Sequence, residues 1–184
     1  MHMATKTRRW TRTDIDRMPE DGNRYEVVDG ALFVSPPPSP EHEGIIYELA
    51  ALLDAFVRRN AIGAVLSGKP AVVYGDSYVE PDIVGCERPR PFPKKWDDMP
   101  RPFLLVEVIS PTSWRRDRVF KHTLYTRERV EYWIVDPEAR TFTIASPGQP
   151  DRVVNDRLTW TPPNSAQTFE LDVDAFFRGL LSSA

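Results

Sequence analysis

One apolar segment with a single charged residue in its interior constrains the fold of this chain more than any other feature. Residues Phe103 to Ile109 are all apolar except Glu107. A run of this kind is typical of a central strand that is covered on both faces. Strand alternation places four of these residues on one face: Phe103, Leu105, Glu107 and Ile109. Because a buried carboxylate is costly unless it is paired, hydrogen-bonded or bound to a metal, Glu107 is predicted to have a partner.

A hairpin and two helices are predicted around this strand. Asp29-Gly30 between two apolar runs is a strong signal for a hairpin from Arg24 to Ser35. Ser39-Pro40 supplies an N-cap and a first-turn proline for a helix that continues to about Asn60. A second helix is predicted from about Trp114 to Arg129, directly after the central strand.

Short apolar runs predict the remaining elements. Strands are expected at residues 64–66, 71–74, 82–86, 131–136 and 141–145, and a last amphipathic helix at 173–181. Five prolines between positions 89 and 102 predict an irregular loop before the central strand. Helices on a mixed sheet define an α/β or α+β fold. We expect an N-terminal arm at residues 1–22 and a single domain over residues 23–184.

The composition excludes several classes of protein. Among 184 residues, 24 basic and 27 acidic side chains give a net charge of −3 and a pI near 5.7, which argues against a nucleic-acid coat with a basic stripe. The mean hydropathy is −0.43, and neither a membrane-spanning run nor a signal-peptide core is visible. Cys86 is the only cysteine, which excludes an internal disulfide and a cysteine-based zinc site. We therefore expect a cytoplasmic protein without a membrane partner.

A second acidic residue stands at the start of another predicted strand. Asp82 follows Pro81 and precedes the apolar pair Ile83-Val84. Two carboxylates on adjacent strands of one sheet are a common site for a hard cation, because Mg²⁺ prefers oxygen ligands. Simpler roles stay open at this point. Asp82 alone suits a capped turn, and Glu107 alone suits a salt bridge to an arginine or lysine.

Three further polar residues, Lys121, Glu26 and His42, have more than one interpretation. Asp117, Lys121 and Tyr125 are spaced i, i+4 and i+8 on one helix face. Lys121 can therefore reach back over the end of the central strand, or form an ordinary surface pair with Asp117. Glu26 lies mid-strand in the hairpin, either as a third acid or as a solvent-facing residue. His42 lies in the first helical turn, where its donors suit an anion or simply solvent.

Several strings of this sequence, in this order and spacing, are similar to one known family. They are Arg24-Tyr25-Glu26-Val27-Val28-Asp29-Gly30, Ser35-Pro36, His42, Pro81-Asp82-Ile83-Val84, Val106-Glu107-Val108-Ile109-Ser110-Pro111, Asp117, Lys121, Tyr125 and Glu131-Tyr132-Trp133-Ile134-Val135-Asp136-Pro137. Over residues 20–145 the chain resembles the Uma-two family of proposed restriction endonucleases, within the PD-(D/E)XK, restriction-endonuclease-like nucleases. The resemblance implies a core of order α-β-β-β-α-β, a divalent metal (Mg²⁺ or Mn²⁺) and hydrolysis of phosphodiester bonds, with DNA as the expected substrate.

The resemblance also implies roles for individual residues. Asp82 matches the aspartate of the Pro-Asp motif and Glu107 the acid of (D/E)XK. Both are expected to hold the metal, together with the backbone carbonyl of Val108. Lys121 matches a lysine moved to the following helix, and Glu26 matches an upstream acid. The predicted catalytic residues are therefore Glu26, Asp82, Glu107 and Lys121.

Basic residues close to the expected site suit a nucleic-acid partner. Residues 114–129 carry six arginines and lysines against two acidic residues, a net charge of +4, which is the kind of surface that follows phosphates. Lys94-Lys95-Trp96 in the proline-rich loop offers further charge and a stacking ring. The residues predicted to contact nucleic acid are His42, Lys94, Lys95, Arg115, Arg116 and Arg118.

Two other functions are compatible with the sequence. Ile109 stands where the superfamily usually has its lysine, so a catalytically silent member that binds nucleic acid or protein is the first alternative. The second is a protein-interaction module built on exposed Trp and Phe side chains around residues 92–103. A large apolar patch there without an acidic cluster would favour it. Restriction-like folds often work as dimers, so a homodimer is a further expectation.

Overall fold

A six-stranded mixed sheet organises the core of the protein. The computed structural model describes residues 8–163 and 165–181. The helices are α1 (Arg12–Ile15), α2 (Pro40–Arg59), α3 (His122–Arg127) and α4 (Val173–Leu181). The strands are β1 (Arg24–Val28), β2 (Ala31–Ser35), β3 (Ala64–Ser67), β4 (Val72–Tyr74), β5 (Ser77–Val79), β6 (Ile83–Cys86), β7 (Pro102–Val108), β8 (Glu131–Asp136), β9 (Thr141–Ala145), β10 (Arg152–Val154), β11 (Arg157–Trp160) and β12 (Phe169–Asp172). A 3₁₀ turn lies at Trp96–Asp98, and a π-helical segment, Arg116–Lys121, leads into α3.

The predicted N-terminal hairpin is confirmed, together with its turn. β1 and β2 pair antiparallel over their full lengths. Asp29 and Gly30 form the turn with φ of 49° and 89°, the left-handed region that an Asp-Gly pair adopts in hairpins. The described part of the predicted arm packs here, since the Trp10 N–H donates to the Gly30 carbonyl at 3.0 Å. Residues 1–7 of that arm lie outside the described residues.

Helix α2 begins where the sequence predicts and packs one face against the sheet. The Ser39 hydroxyl accepts a hydrogen bond from the His42 N–H, and Pro40 occupies the first turn. The buried positions repeat at three and four residues: Ile45, Ile46, Leu49, Ala50, Leu53 and Val57. This packing fixes the direction of the helix and leaves its first turn, with His42, beside the end of β7.

The six-stranded sheet confirms the predicted core order. Its strand order is β10-β9-β8-β7-β6-β3. β7 and β8 are parallel and are connected through α3, whereas the other neighbouring pairs are antiparallel. The elements α2, β3, β6, β7, α3 and β8 follow the α-β-β-β-α-β order, with the β4–β5 hairpin inserted after β3. β4 and β5 join β1 and β2 in a four-stranded sheet. The fold is thus a mixed sheet flanked by helices, as the sequence predicts.

The central strand β7 is covered on both faces. Three of its residues join an apolar cluster with α2 and α4: Leu104, Val106 and Val108. Leu105 and the following Ile109 join a second cluster, with α3 and the four-stranded sheet. Phe103 departs from the predicted alternation. The register between β6 and β7 shifts at this point, so its ring lies over Gly85 and packs against the first cluster.

The C-terminal region contains elements that the sequence did not reveal. Helix α4 is confirmed over its predicted range. β5, β10, β11 and β12 were not predicted, because they are short and mix polar with apolar residues, so they show neither an apolar run nor a clear period of two. β11 and β12 form a separate sheet that adds Trp160 and Phe169 to the core beside α2. Within the described residues, no helix has both the length and the hydropathy needed to cross a membrane.

Candidate active site

Asp82 and Glu107 lie at the same end of the six-stranded sheet and on the same face. β6 and β7 are antiparallel with Ile83 opposite Val106, so the next pair outward is Asp82 and Glu107. Opposite residues in an antiparallel pair share a face. The Val108 N–H donates to Asp82 Oδ2 at 2.9 Å, which holds the two strand ends together here. Both carboxylates are buried, and the structure places the two predicted metal ligands at one sheet edge.

Three groups surround the Asp82 carboxylate. Arg24 Nη1 donates to Asp82 Oδ1 at 2.9 Å, the Val108 N–H occupies Oδ2, and His42 Nε2 lies 3.5 Å from Oδ2. Arg24 comes from β1 of the other sheet, and most of its side chain is buried. The sequence did not predict a role for Arg24, because a single buried arginine at a strand end leaves no periodic signal.

Lys121 enters the site from the following helix. Its Nζ lies 2.6 Å from Glu107 Oε1 and 2.7 Å from Glu26 Oε1, with Asp117 Oδ1 at 3.7 Å. The Lys121 side chain is 0% exposed, so the alternative of an ordinary surface pair with Asp117 does not apply. Tyr125, which was predicted on the same helix face, is also buried, and its hydroxyl donates to Glu107 Oε1 at 3.5 Å. Residues from β1, β7 and one helix therefore meet in the interior.

A π-helical segment explains why several charged residues of this helix face inward. The His122 N–H donates to the Asp117 carbonyl, five residues back. An α-helix turns every ~3.6 residues, so residues five apart point to different sides of it, whereas the wider π turn aligns them. Arg116 and Lys121 are five apart, and both are buried, as is Asp117. Such π segments often occur at functional sites.

Arg116 belongs to the interior of this site and not to an exposed nucleic-acid surface. Its Nη1 lies 3.2 Å from Glu26 Oε2, and its Nε donates to Asp117 Oδ1 at 2.8 Å. It also donates to the Ser35 hydroxyl. Arg116 is only 9% exposed. Its place in the predicted phosphate track is therefore corrected, because two buried carboxylates already engage its charge.

The two neighbouring arginines are nearer the surface. Arg115 is exposed, with its guanidinium 5.8 Å from the ring centre of Phe120. Arg118 is half-buried, and its Nη2 lies 2.9 Å from Asp136 Oδ2. Of the predicted helical track, Arg115 thus keeps an exposed charge, while Arg118 shares its charge with an acidic neighbour.

Lys94 and Lys95 lie in a different part of the molecule from the acidic residues. Both are exposed in the loop that leaves β6 at Cys86 and enters β7 at Pro102. Asp82 and Glu107 stand at the other ends of these two strands. The loop therefore begins and ends at the far edge of the sheet, where Trp96 shares a pocket with Cys86 and Pro102. The grouping of Lys94, Lys95 and Trp96 with the candidate site is corrected.

The same loop bears on the protein-interaction alternative. Phe92 and Trp96 are both exposed, by 46% and 44%, as that alternative requires. It also requires the absence of an acidic cluster, however, and the carboxylates of Glu26, Glu107 and Asp117 surround Lys121. The structure therefore does not favour an interaction module over a site with its own chemistry.

His42 points into the candidate site from the first turn of α2. Its Nε2 donates to the Val108 carbonyl oxygen at 2.7 Å and lies 3.5 Å from Asp82 Oδ2. The bond to a carbonyl requires Nε2 to carry the proton. His42 Nδ1 is buried and has no hydrogen-bond partner among the described residues. Two of the predicted metal ligands, the Asp82 carboxylate and the Val108 carbonyl, thus converge on one N–H group.

The buried charges of the site are unequal in number. When all groups are ionised, four carboxylates stand against three cations, and the formal balance is one negative charge. The carboxylates are Glu26, Asp82, Glu107 and Asp117, and the cations are Arg24, Arg116 and Lys121. Burial raises the pKa of Glu107 well above its ordinary value, and nearby carboxylates raise it further, although Lys121 opposes them. Burial lowers the pKa of Lys121, but the carboxylates of Glu107, Glu26 and Asp117 outweigh this and raise it. The cluster therefore stabilises added positive charge.

A pocket of about 220 Å³ opens beside Asp82. Its charged and ionisable lining consists of Arg24, His42, Asp82 and Arg116. The rest of the lining consists of three prolines, at positions 36–38, and five residues with hydroxyl groups: Ser35, Ser39, Ser110, Thr112 and Ser113. Guanidinium and hydroxyl groups are typical donors to phosphate oxygens in nucleic-acid complexes. A phosphate that enters this pocket therefore meets hydrogen-bond donors directly beside a buried carboxylate.

Comparison with known proteins agrees with this architecture. The model of the Uma2 family, described as "Putative restriction endonuclease", matches residues 12–174. This chain belongs to the Uma2 family. A crystal structure of "a putative nuclease belonging to DUF820 from Anabaena variabilis" is similar to this Uma2 chain, with a TM-score of 0.75 and 22% sequence identity over 93% of this chain and 99% of that one. No curated protein sequence matches the chain. The predicted family and the restriction-endonuclease-like fold are confirmed, and both support a nuclease.

The donor set of the Uma2 site suits a hard divalent cation. Within the described residues, no three His, Cys, Asp and Glu side chains form a group that could hold a metal by themselves. The residues that face the site offer the carboxylates of Asp82 and Glu107 and the carbonyl of Val108. Mg²⁺ takes such oxygen ligands and keeps several waters. The surplus negative charge and the His42 N–H between two of these oxygens also fit a cation at this place.

Proposed function

We propose that this Uma2 protein is a metal-dependent nuclease that hydrolyses phosphodiester bonds of DNA, with Mg²⁺ or Mn²⁺ as its cofactor. One observation carries the proposal: Lys121 is clamped between Glu107 and Glu26, residues that lie far apart in the sequence. Burying these charges is costly, and clusters of buried groups with shifted pKa values are typical of functional sites.

The proposed metal ligands are Asp82, Glu107 and the carbonyl of Val108. When bound, the metal supplies acidification of a water molecule and polarisation of the scissile phosphate. His42 and Arg24 orient Asp82 toward the same point as the Val108 carbonyl. The substrate phosphate enters the pocket beside Asp82, where Arg24 and the pocket hydroxyls donate to its oxygens.

Lys121 and Glu26 act through Glu107 as positioning residues. The Lys121 ammonium donates to one oxygen of Glu107 and lies within ion-pair distance of one oxygen of Glu26, while Arg116 holds the other oxygen of Glu26. This arrangement keeps the Glu107 carboxylate oriented. It also brings Lys121 to Glu107 from the following helix. Lys121 thus takes the place of the lysine that the superfamily usually has at the position of the apolar Ile109.

Cleavage of DNA by variant proteins tests the proposal. We expect Glu107→Ala to abolish Mg²⁺-dependent cleavage of plasmid and oligonucleotide DNA while circular dichroism shows a retained fold. Glu170→Gln is the matched control, because Glu170 is an exposed acid on β12 whose only ion-pair partner among the described residues is Arg157. Unchanged cleavage by E107A contradicts the proposal, as does equal loss in both variants. If the protein cleaves RNA oligonucleotides but not DNA, the proposed substrate changes from DNA to RNA.

Metal binding separates this function from the silent alternative. We expect calorimetry with Mn²⁺ to show binding at millimolar metal in the wild type and none in Asp82→Asn. Absence of binding in the wild type, with DNA still bound, favours a silent nucleic-acid-binding member. The homodimer and the cytoplasmic location stay predictions.

A further inference from the structure

A second pocket adjoins the proposed catalytic pocket. It has a volume of about 420 Å³, within the range of sites that enclose small ligands. The two pockets share Ser39, His42 and Ser110 in their linings. A nucleotide chain whose phosphate lies beside Asp82 therefore extends directly into this second space.

The second pocket has an exposed tryptophan in its wall. Trp114 stands at the start of the helix after β7 and is 50% exposed. The guanidinium of Arg118 lies 5.9 Å from its ring centre, and Arg118 is itself held by Asp136 at 2.9 Å. The indole is thus steadied by a cation that a salt bridge fixes. An exposed aromatic ring beside a backbone site is what proteins use to stack unpaired bases.

The charge of this pocket suits a base and not a phosphate. Three acidic residues line it, Glu41, Asp136 and Glu138, and none of the described residues in its lining is a lysine or arginine. Asp136 is neutralised by Arg118. Glu41 and Glu138 form no ion pair within the described residues. Free carboxylates repel phosphate, but they accept hydrogen bonds from amino groups such as that of cytosine.

We propose that this space is a nucleobase pocket that takes one unpaired base next to the scissile phosphate. The base stacks on Trp114, and its amino group faces Glu41 or Glu138. The proposal rests on the proposed nuclease function and names its substrate class, nucleic acid with an unpaired nucleotide at the cleavage site. A base in a duplex must first be unstacked and unpaired to enter, so single strands are favoured. Bases with amino groups are favoured over thymine.

Binding measured apart from cleavage tests this pocket. Fluorescence anisotropy with labelled oligo-dC, in the presence of EDTA, measures affinity with hydrolysis stopped. We expect Trp114→Ala to weaken binding about 5- to 140-fold, the effect of one stacked base, and Trp114→Phe to retain most of the affinity. Trp96→Ala is the matched control, because Trp96 is 44% exposed at the opposite end of the sheet. Oligo-dT is expected to bind more weakly than oligo-dC, and duplex DNA more weakly than either.

The outcomes separate this pocket from the nuclease proposal. Wild-type affinity in W114A, an equal loss in W96A, or no binding of either oligonucleotide by the wild type overturns the pocket. Equal affinity for oligo-dC and oligo-dT overturns the recognition of the amino group. If W114A behaves as expected but no metal supports cleavage, the pocket stands and the nuclease proposal fails. If E107A abolishes cleavage while W114A binds normally, the reverse holds.

Discussion

The two ends of the β6–β7 strand pair have opposite chemistry. At one end, Asp82 and Glu107 lie among buried charges, beside a pocket of about 220 Å³ with many hydroxyl groups. At the other end, β6 stops at Cys86 and β7 begins at Pro102, next to a pocket of about 270 Å³ that is lined mainly by apolar side chains and by Trp96. A cavity is present at both ends, so a cavity alone does not identify the functional one.

The two ends contribute differently to the free energy of folding. Apolar side chains at the Cys86 end gain free energy when they leave water. The charges at the Glu107 end lose hydration, and only their mutual attraction and hydrogen bonds offset this loss, so their burial gives little or no net stability. Residues that do not stabilise the fold are expected mainly at functional sites. We therefore place the catalytic chemistry at the charged end. Variants at the charged end and at the apolar end can be compared to test this.

The largest expected effect is the removal of the buried lysine. Lys121→Met leaves Glu26 and Glu107 buried without their shared cation, so we expect a loss of about 3–5 kcal/mol in the free energy of unfolding. Arg101→Met is the comparison at the other end, because Arg101 is 64% exposed and pairs with Glu128 at 2.9 Å. Its loss is expected to stay below about 1 kcal/mol. Urea denaturation measures both, and equal losses would remove the contrast.

The next effect concerns the pH dependence of stability without metal. Burial raises the folded-state pKa of Glu107 above its ordinary value of 4.5, so above pH 4.5 the folded state binds more protons than the unfolded one. Stability then falls as the pH rises, by at most about 1.4 kcal/mol per pH unit. We expect urea titrations from pH 4.5 to 7 to show this fall in the wild type but not in Glu107→Gln. Parallel pH profiles for the two proteins contradict the raised pKa.

Added metal is expected to stabilise the folded state by binding at the charged end. At ten times its dissociation constant, Mg²⁺ stabilises the folded state by about 1.4 kcal/mol, which corresponds to a rise in Tm of about 3–6 °C for a chain of this size. Asp82→Asn is expected to lose this rise. Trp96→Ala, at the apolar end, is expected to keep it. Thermal unfolding monitored by circular dichroism checks the three proteins, and a rise that survives in D82N places the cation elsewhere.

The smallest effect concerns the rate at which the Cys86 thiol, at the apolar end, reacts with a labelling reagent. Burial raises the pKa of the Cys86 thiol to about 11, with a smaller contribution from Glu87. Because only the thiolate reacts, we expect labelling at pH 8 to be at least about 100-fold slower than for a free cysteine. Trp96→Ala opens the wall of this pocket and is expected to speed labelling several-fold while cleavage stays unchanged. Absorbance with a thiol-reactive disulfide follows the reaction, and rapid labelling of the wild type contradicts the burial of this end.

Most of the fold could be read from local patterns. The Asp29-Gly30 turn, the Ser39-Pro40 helix start and the apolar β7 run each carry a strong signal over a few residues, and all three are confirmed. The short strands β5 and β10 to β12 were missed, because they mix polar with apolar residues and so lack the apolar run that marked the equally short β3, β4 and β6. The bulge that turns Phe103 to the other face was also missed, since it depends on the register between two strands.

The candidate site was predictable in its acids and its lysine but not in its arginines. Glu107 was visible because a charge interrupts an apolar strand. The role of Lys121 came from the resemblance to the Uma-two family, since helical spacing alone also allowed an ordinary surface pair with Asp117. Arg116 was assigned to a phosphate-binding surface, because it lies in a run of basic residues and the π turn that buries it leaves no clear mark in the sequence. Lys94 and Lys95 follow a long loop whose path the sequence does not define.

The sequence by itself determined which segments form strands and helices and which charged residues stand inside apolar ones, because both properties depend on neighbours along the chain. Only the tertiary structure decided which charges meet. Glu26 and Lys121 lie 2.7 Å apart although nearly a hundred residues separate them, and that contact depends on how two sheets pack around a helix. Electrostatic partners in a buried site are chosen by distance in space, which chain order does not encode.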